Sequence, residues 1–226
     1  MKSGLVIITA VLFCSVVPAA TFKDDFNRDG RQNMNPAVSI GADYATRSTT
    51  AENPVFSIDR GMLKITGGGA ARQILLYPAK IKTESGNGKS FTISGDVKTI
   101  PMVAATALYG LAFNIQEDGT FYTLRMNTRN DNLATIILML LDETGKQIAA
   151  TVLTTVPLEL SSVYHLEVSS STPGVFDYIV NGPKNSSFSG TADLSKGRVL
   201  HGGHGGFYLN VGNANVSFDN LMIKAE

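Results

Sequence analysis

"GLAFNIQEDGTFYTLRMN", residues 110–127, decides the fold, because it reads as a strand, a tight turn and a returning strand. Alternation with a period of two places Leu111, Phe113 and Ile115 on one face of the first half, with Asn114 and Gln116 on the other. "EDGT" then supplies a hairpin turn centred on Asp118–Gly119. On the way back Tyr122, Leu124 and Met126 share the apolar face, and Phe121, Thr123, Arg125 and Asn127 share the opposite one.

The same pattern continues in both directions. "SFTISGDVKTI" (90–100) alternates Phe91, Ile93 and Val97 against Thr92, Ser94, Asp96 and Lys98. "LATIILMLLDE" (133–143) is apolar on both faces, as a central strand covered on both sides would be. "VYHLEV" (163–168), "VFDYIVNG" (175–182), "GFYLNV" (206–211) and "VSFDNLMIKA" (216–225) follow, and "SIDRGMLKIT" (57–66) has a strand–turn–strand form. No long stretch has a 3.6-residue apolar period. Roughly ten to thirteen short strands punctuated by turns point to an all-β, antiparallel two-sheet sandwich. The polar segment 29–55 is expected to be a long loop, and "GGG" at 67–69 a flexible connection. Without an internal repeat or a Pro/Ser-rich linker, residues 21–226 read as a single domain.

Residues 1–20 read as a signal peptide. Met1–Lys2 gives a positive start, Gly4 to Val17 is almost unbroken apolar sequence, and "VVPAA" offers a cut at Ala19 or Ala20. The run is short for a spanning helix. Cys14, the one cysteine, would leave with this leader, so the remaining chain could form no disulfide, thiolate metal site or cysteine nucleophile. The expected location is outside the cytoplasm, extracellular or periplasmic. The 19 basic residues balance the 19 acidic ones, and loss of Lys2 would leave one acid in excess. No basic run exceeds two residues, which argues against nucleic acid and against an anionic membrane once the leader is gone.

"FKDDFNR" (22–28), "GLAFNIQEDGTFYTLRMN", "VYHLEV", "FDYIVNG" and the closing "VSFDNLMIKA", taken in that order, resemble the concanavalin A-like (laminin G-like) jelly-roll superfamily. The resemblance is to the secreted bacterial, carbohydrate-associated branch whose members begin "DDF" and end "FDN", and it covers residues 22–226. It implies two large antiparallel sheets, one convex and one concave, with a glycan on the concave face. It also implies members of two kinds, non-catalytic binding domains on one hand and glycoside hydrolases or polysaccharide lyases on the other. Asp25 and Asp219 fall in the terminal motifs, on strands that pair in the superfamily, where a shared structural calcium ion is expected.

The residues themselves favour binding. A glucanase of the E-x-D-x-x-E type would array its acids on one strand; no such arrangement occurs, and Glu117–Asp118, Asp142–Glu143, Glu159 and Glu167 stand in turns, at strand ends or alone. A lyase wants a Tyr or His base beside Arg and Asn. Tyr164–His165 with Arg125 and Asn127 is the available set, although Tyr164 has the inward phase and His165 reads as an exposed sheet residue. The candidate ligand-binding residues are Asn114, Gln116, Thr123, Arg125 and Asn127: amide, hydroxyl and guanidinium groups suited to sugar hydroxyls, or alternatively an ordinary solvated face. The chain has no tryptophan, so stacking on a sugar falls to Tyr109, Phe121 or Tyr208. "HGGHGG" (201–206) reads as a glycine hinge before a strand; His201 and His204 lack the Cys or third His of a zinc set. Sequons at Asn185 and Asn215 matter only in a eukaryotic secretory pathway. The expected function is thus a secreted, lectin-like, non-catalytic domain, with a glycan-active enzyme or an adhesion scaffold as the alternatives.

Overall fold

A computed structural model of the protein describes residues 20–28, 43–48, 54–66, 73–98, 107–128, 132–210 and 216–226. They form strands β1 (Ala20–Asp24), β2 (Tyr44–Ser48), β3 (Val55–Asp59), β4 (Met62–Thr66), β5 (Gln73–Pro78), β6 (Lys82–Glu84), β7 (Phe91–Lys98) and β8 (Leu108–Ile115). The second half adds β9 (Phe121–Thr128), β10 (Leu133–Leu141), β11 (Gln147–Pro157), β12 (Val163–Thr172), β13 (Val175–Asn181), β14 (Ser187–Asp193), β15 (Gly202–Asn210) and β16 (Val216–Ala225). Two 8-stranded antiparallel sheets result. The first runs β14-β13-β12-β7-β16-β4-β3 with β1 beside β16; the second runs β11-β10-β9-β8-β15-β5-β2 with β6 beside β15. The expected all-β sandwich is what the chain forms. Among the described residues no helix is long and apolar enough to cross a membrane.

One core lies between the sheets. Phe207 of the second sheet meets Phe218 of the first at 4.6 Å between ring centres, and Phe113 and Tyr122 meet Phe176 at 5.2 and 4.7 Å. These rings, with Leu111, Leu124, Ile93 and Leu166, are fully buried, so the apolar phase of each strand does point inward.

Both terminal motifs have a backbone role. Phe26 of "DDF" takes a left-handed φ of 48° and drops its ring into the core, 6.0 Å from Tyr44 and 6.2 Å from Phe207. Asp24 and Asp25 fix that turn by accepting hydrogen bonds from the Phe26 and Asn27 amides, 2.8 and 3.1 Å. Asn220 of "FDN" sits at φ 51° in a bulge where β16 changes partners. Val216–Phe218 pair with β4, and Leu221–Ala225 pair with β1. The termini are thereby tied together by strand pairing.

Three expectations about local structure are corrected. Residues 44–48, inside the supposed long loop, form β2 against β5; residues 29–42, 49–53 and 67–69 lie outside the described residues, as do residues 1–19 and Asn215. "HGGHGG" is no hinge, because from Gly202 onward it is strand β15. Its glycines are there for crowding: a Cβ on Gly203 would lie 2.4 Å from the Ile115 carbonyl oxygen, and one on Gly206 would lie 2.0 Å from that of Leu76. Asn114 does not face solvent either. It carries a left-handed φ of 50° in a β8 bulge, with His204 opposite Ile115 but Gly206 opposite Ala112. The extra residue turns Ile115 to the outer face and buries Asn114 completely.

Candidate functional site

The register of the second sheet places its outward side chains in rows. Across the strands run Arg47, Leu75, Tyr208, Gly110, Arg125, Ile137 and Val152. One step along lie Gln73, Asn210, Leu108, Asn127, Thr135 and Thr155; one step the other way lie Ala112, Thr123, Met139 and Ala150. Phe121 and Leu141 pair beyond those. Thr123, Arg125 and Asn127 therefore share one face of β9 with Phe121, as alternation requires.

This face is not the ordinary solvated surface that was the alternative. Leu75, Ala112, Phe121, Met139, Leu141 and Tyr208 form a second apolar cluster on it, with Tyr208 0% and Phe121 1% exposed. Thr123 is equally buried. Exposure returns toward one end, where Arg125, Asn127, Thr135, Ile137, Leu108 and Asn210 are all partly exposed.

Polar groups are under-satisfied here. Thr123 Oγ1, Arg125 Nε and Asn127 Oδ1 are buried without a hydrogen-bond partner, although buried polar atoms in folded proteins are nearly always partnered. Arg125 Nη1 donates to the Tyr208 hydroxyl at 3.2 Å, and the guanidinium carbon lies 5.9 Å from that ring's centre. Burial raises the Tyr208 pKa, while Arg125 and the bond with Asn210 act the other way without reversing it. Tyr208 is therefore a protonated hydroxyl. The outward positions of β5, β8, β9, β10 and residues 206–210, all described, hold no Asp or Glu.

The remaining candidates separate from this patch. Asn114 is a structural residue: it accepts from Thr83 Oγ1 at 2.7 Å and donates to the Leu200 carbonyl at 3.2 Å. Gln116 lies at the hairpin end, where its Nε2 donates to the Asn114 and Gly202 carbonyls. There it lines an open cleft of about 640 Å³ with His201, His204, Lys82 and Arg198. His204 stacks on Tyr77 at 4.9 Å and its Nδ1 lies 3.1 Å from the Ile81 carbonyl, so its role in the strand is packing. Arg198 donates to Asp118 at 2.6 Å; the Thr120 amide and then Arg198 hold the Asp118 carboxyl down at about 2. Of the aromatic candidates, Tyr109 faces the core, whereas Phe121 and Tyr208 lie on the outer face.

The Tyr164–His165 pair does not join Arg125. Tyr164 is core, its hydroxyl donating to the Pro157 carbonyl at 3.0 Å and accepting from the Glu159 amide at 2.9 Å. His165 is on the outer face of the first sheet and half-buried, with Nδ1 2.7 Å from Asp96 Oδ1. That bond raises the His165 pKa against the opposing effect of burial. Asp96 also accepts from Asn220 Nδ2 at 2.7 Å. Cross-strand register, which the sequence does not display, makes this pair.

Asp25 is among the carboxylates whose charge acts on Asp219. Burial raises the Asp219 pKa, and repulsion from Asp96, Asp25 and Asp24 adds to it, against the Asn220 amide that it accepts at 2.7 Å. Asp24 stays ionised and paired: despite burial its carboxyl is held down by Arg28, the Phe26 amide and the Tyr44 hydroxyl. Among the described residues no three His, Cys, Asp or Glu side chains are grouped so as to hold a metal. Asp25 and Asp219 each keep one carboxylate oxygen outside these turn bonds, so a calcium ion there would take its other ligands from backbone carbonyls and water.

No protein-family model matches the chain, and no curated protein matches it. Solved structures do. A Lotus tetragonolobus seed lectin superposes with a TM-score of 0.59 at 8% identity, over 92% of this chain and 98% of the lectin. Carbohydrate binding module CBM66 from Bacillus subtilis gives 0.53 at 16% identity, over 79% and 93%. The marine PL-14 alginate lyase from Aplysia kurodai gives 0.58 at 11% identity, over 89% and 97%. The fold is the concanavalin A-like jelly roll, shared by binding proteins and an enzyme alike, and at these identities the likeness extends to the fold alone.

Proposed function

We propose that the protein binds a glycan on the outer face of its second sheet, as a secreted, non-catalytic module. The observation that carries this is on β9: Thr123 Oγ1, Arg125 Nε and Asn127 Oδ1, on alternate residues, are buried and unpartnered beside Tyr208. Arg125 and Asn127 are the partly exposed members of that row, and sugar hydroxyls, which donate and accept at once, suit both the donor and the acceptor there. The lectin and the binding module among the similar structures are consistent with such a role.

Binding is favoured over hydrolysis because the outward positions that flank this row carry no carboxylate, and hydrolysis takes two. It is favoured over elimination because Tyr164 is tied up in the core and His165 lies on the other sheet, apart from Arg125 and Asn127. Export rests on the leader-like residues 1–20. A calcium ion between Asp25 and Asp219 is a separate structural proposal, resting on their mutual repulsion and their place at the paired termini.

The test is a glycan array and a product-release assay on the same protein lacking residues 1–20. Binding that weakens in Asn127→Ala, with no product released, is the expected result. Turnover abolished by one side-chain change would make the protein an enzyme, and an array with no signal would leave the adhesion scaffold.

A further inference from the structure

Arg125 is a guanidinium with no carboxylate partner among the described residues. It contacts the hydroxyl and ring of Tyr208. Its Nε is fully buried. Arg28, Lys80, Lys184 and Arg198 by contrast pair with Asp24, Asp43, Glu159 and Asp118, and the other described arginine on this face, Arg47, donates to the Gln116 and Glu117 carbonyls. Arg125 is partly exposed, with its Nε buried and unpartnered, and an anion at its open end would compensate a charge that is only partly solvated.

The geometry of the pairing is specific. Nη1 donates to the Tyr208 hydroxyl and Nε is buried, so the guanidinium meets a ligand through its terminal end, chiefly Nη2. An anion's oxygen accepts there in a charge-assisted hydrogen bond. The neighbours in the adjoining row, Asn127, Asn210 and Thr135, are neutral hydrogen-bonding groups, and no carboxylate on these strands repels an incoming one. All four lie at the partly exposed end of the face, where a ligand has access.

We infer that the glycan bound here is acidic, and that Arg125 receives its carboxylate or sulfate group while Asn127, Asn210 and Thr135 meet adjoining hydroxyls. This rests on the glycan-binding role proposed above and narrows it to one substrate class. The two sources of anion differ in shape, a carboxylate being planar and a sulfate ester tetrahedral, and either offers an oxygen to the terminal guanidinium nitrogens.

Titration calorimetry with four defined probes tests it: a galacturonic acid hexamer, its fully methyl-esterified form, a galactan hexamer and a sulfated galactan hexamer. The acidic hexamers, one or both, should bind on the order of tenfold or more tighter than the neutral forms. Added salt should weaken that preference. Arg125→Gln should abolish it, Arg125→Lys should restore part of it, and Asn127→Asp should weaken the acidic ligand by repulsion. Circular dichroism and thermal melts confirm that each variant is folded, and Arg125→Lys carries the test should Arg125→Gln fail to fold. Equal binding of the acid and its methyl ester, unchanged in the Arg125 variants, would overturn the acidic ligand and leave glycan binding standing. No binding of any probe, with a silent glycan array, would overturn both.

Discussion

Gly110 sits opposite Arg125 in the sheet, and replacing it with alanine tests how tightly the proposed site is built. A Cβ there would lie 2.2 Å from the Leu124 carbonyl oxygen and 2.9 Å from the Arg125 Cα. The first distance is about 1 Å short of an ordinary carbon–oxygen contact. Both obstacles are backbone, so no side chain can rotate away and β9 itself must shift. Overpacking commonly costs about 1–3 kcal/mol, and a clash with a central strand belongs at the upper end. For a domain of this size each kcal/mol lowers Tm by about 2–4 °C, so Gly110→Ala should melt roughly 6–12 °C below the parent. Thermal unfolding followed by circular dichroism reads this directly. A fall of less than about 2 °C would show that β8 and β9 are looser than their register requires, and the rigid row around Arg125 would lose its physical basis.

Asn114→Ala should destabilise strongly. It strands the buried Leu200 carbonyl and leaves the Thr83 hydroxyl with Gly203 as its remaining acceptor, at about 1–3 kcal/mol, and it puts alanine into left-handed backbone for about 1 more; denaturant titration reads the sum. The His165–Asp96 bond should make stability depend on pH in a definite sense. The folded His165 pKa is raised, so the contribution is complete below the unfolded value near 6.5 and disappears as pH rises through the folded one. The Tm difference between the parent and His165→Gln should accordingly be largest in mild acid and shrink in alkali; a difference independent of pH would refute the pairing. Asp219→Asn should raise Tm without added metal, because it removes repulsion from Asp96, Asp25 and Asp24 while its side-chain oxygen still accepts from Asn220. With calcium the parent should gain stability and Asp219→Asn should not; equal gains would place the ion elsewhere.

Much of this fold was legible in alternation. On β9 the split between Tyr122, Leu124 and Met126 and the set Phe121, Thr123, Arg125 and Asn127 holds residue by residue, since no bulge interrupts that strand's pairing with β8 or β10. On β8 the same counting fails after Phe113. One left-handed residue, Asn114, reverses the phase, and asparagine in a strand does not announce whether it bulges. "HGGHGG" misleads for a related reason: glycine also serves where two backbones come too close for a Cβ, which depends on strands distant in sequence. β2 and β5 were missed, "YATRS" lying inside a polar stretch and "QILLYP" offering no alternation because it is buried on both faces. The site was half visible. Polar residues on β9 could be read from period, but Tyr208 beside Arg125 and the absence of a neighbouring acid needed the register of β15 against β8 and β9.

The central claim is that ligand contacts the outer face of the second sheet, and amide and side-chain NMR during titration with the tightest array glycan measures it most directly. Shifts concentrated on Thr123, Arg125, Asn127, Thr135, Tyr208 and Asn210 are the predicted result. Shifts concentrated instead on the His165–Asp96 face of the first sheet, or in the cleft lined by His201 and Arg198, would contradict it.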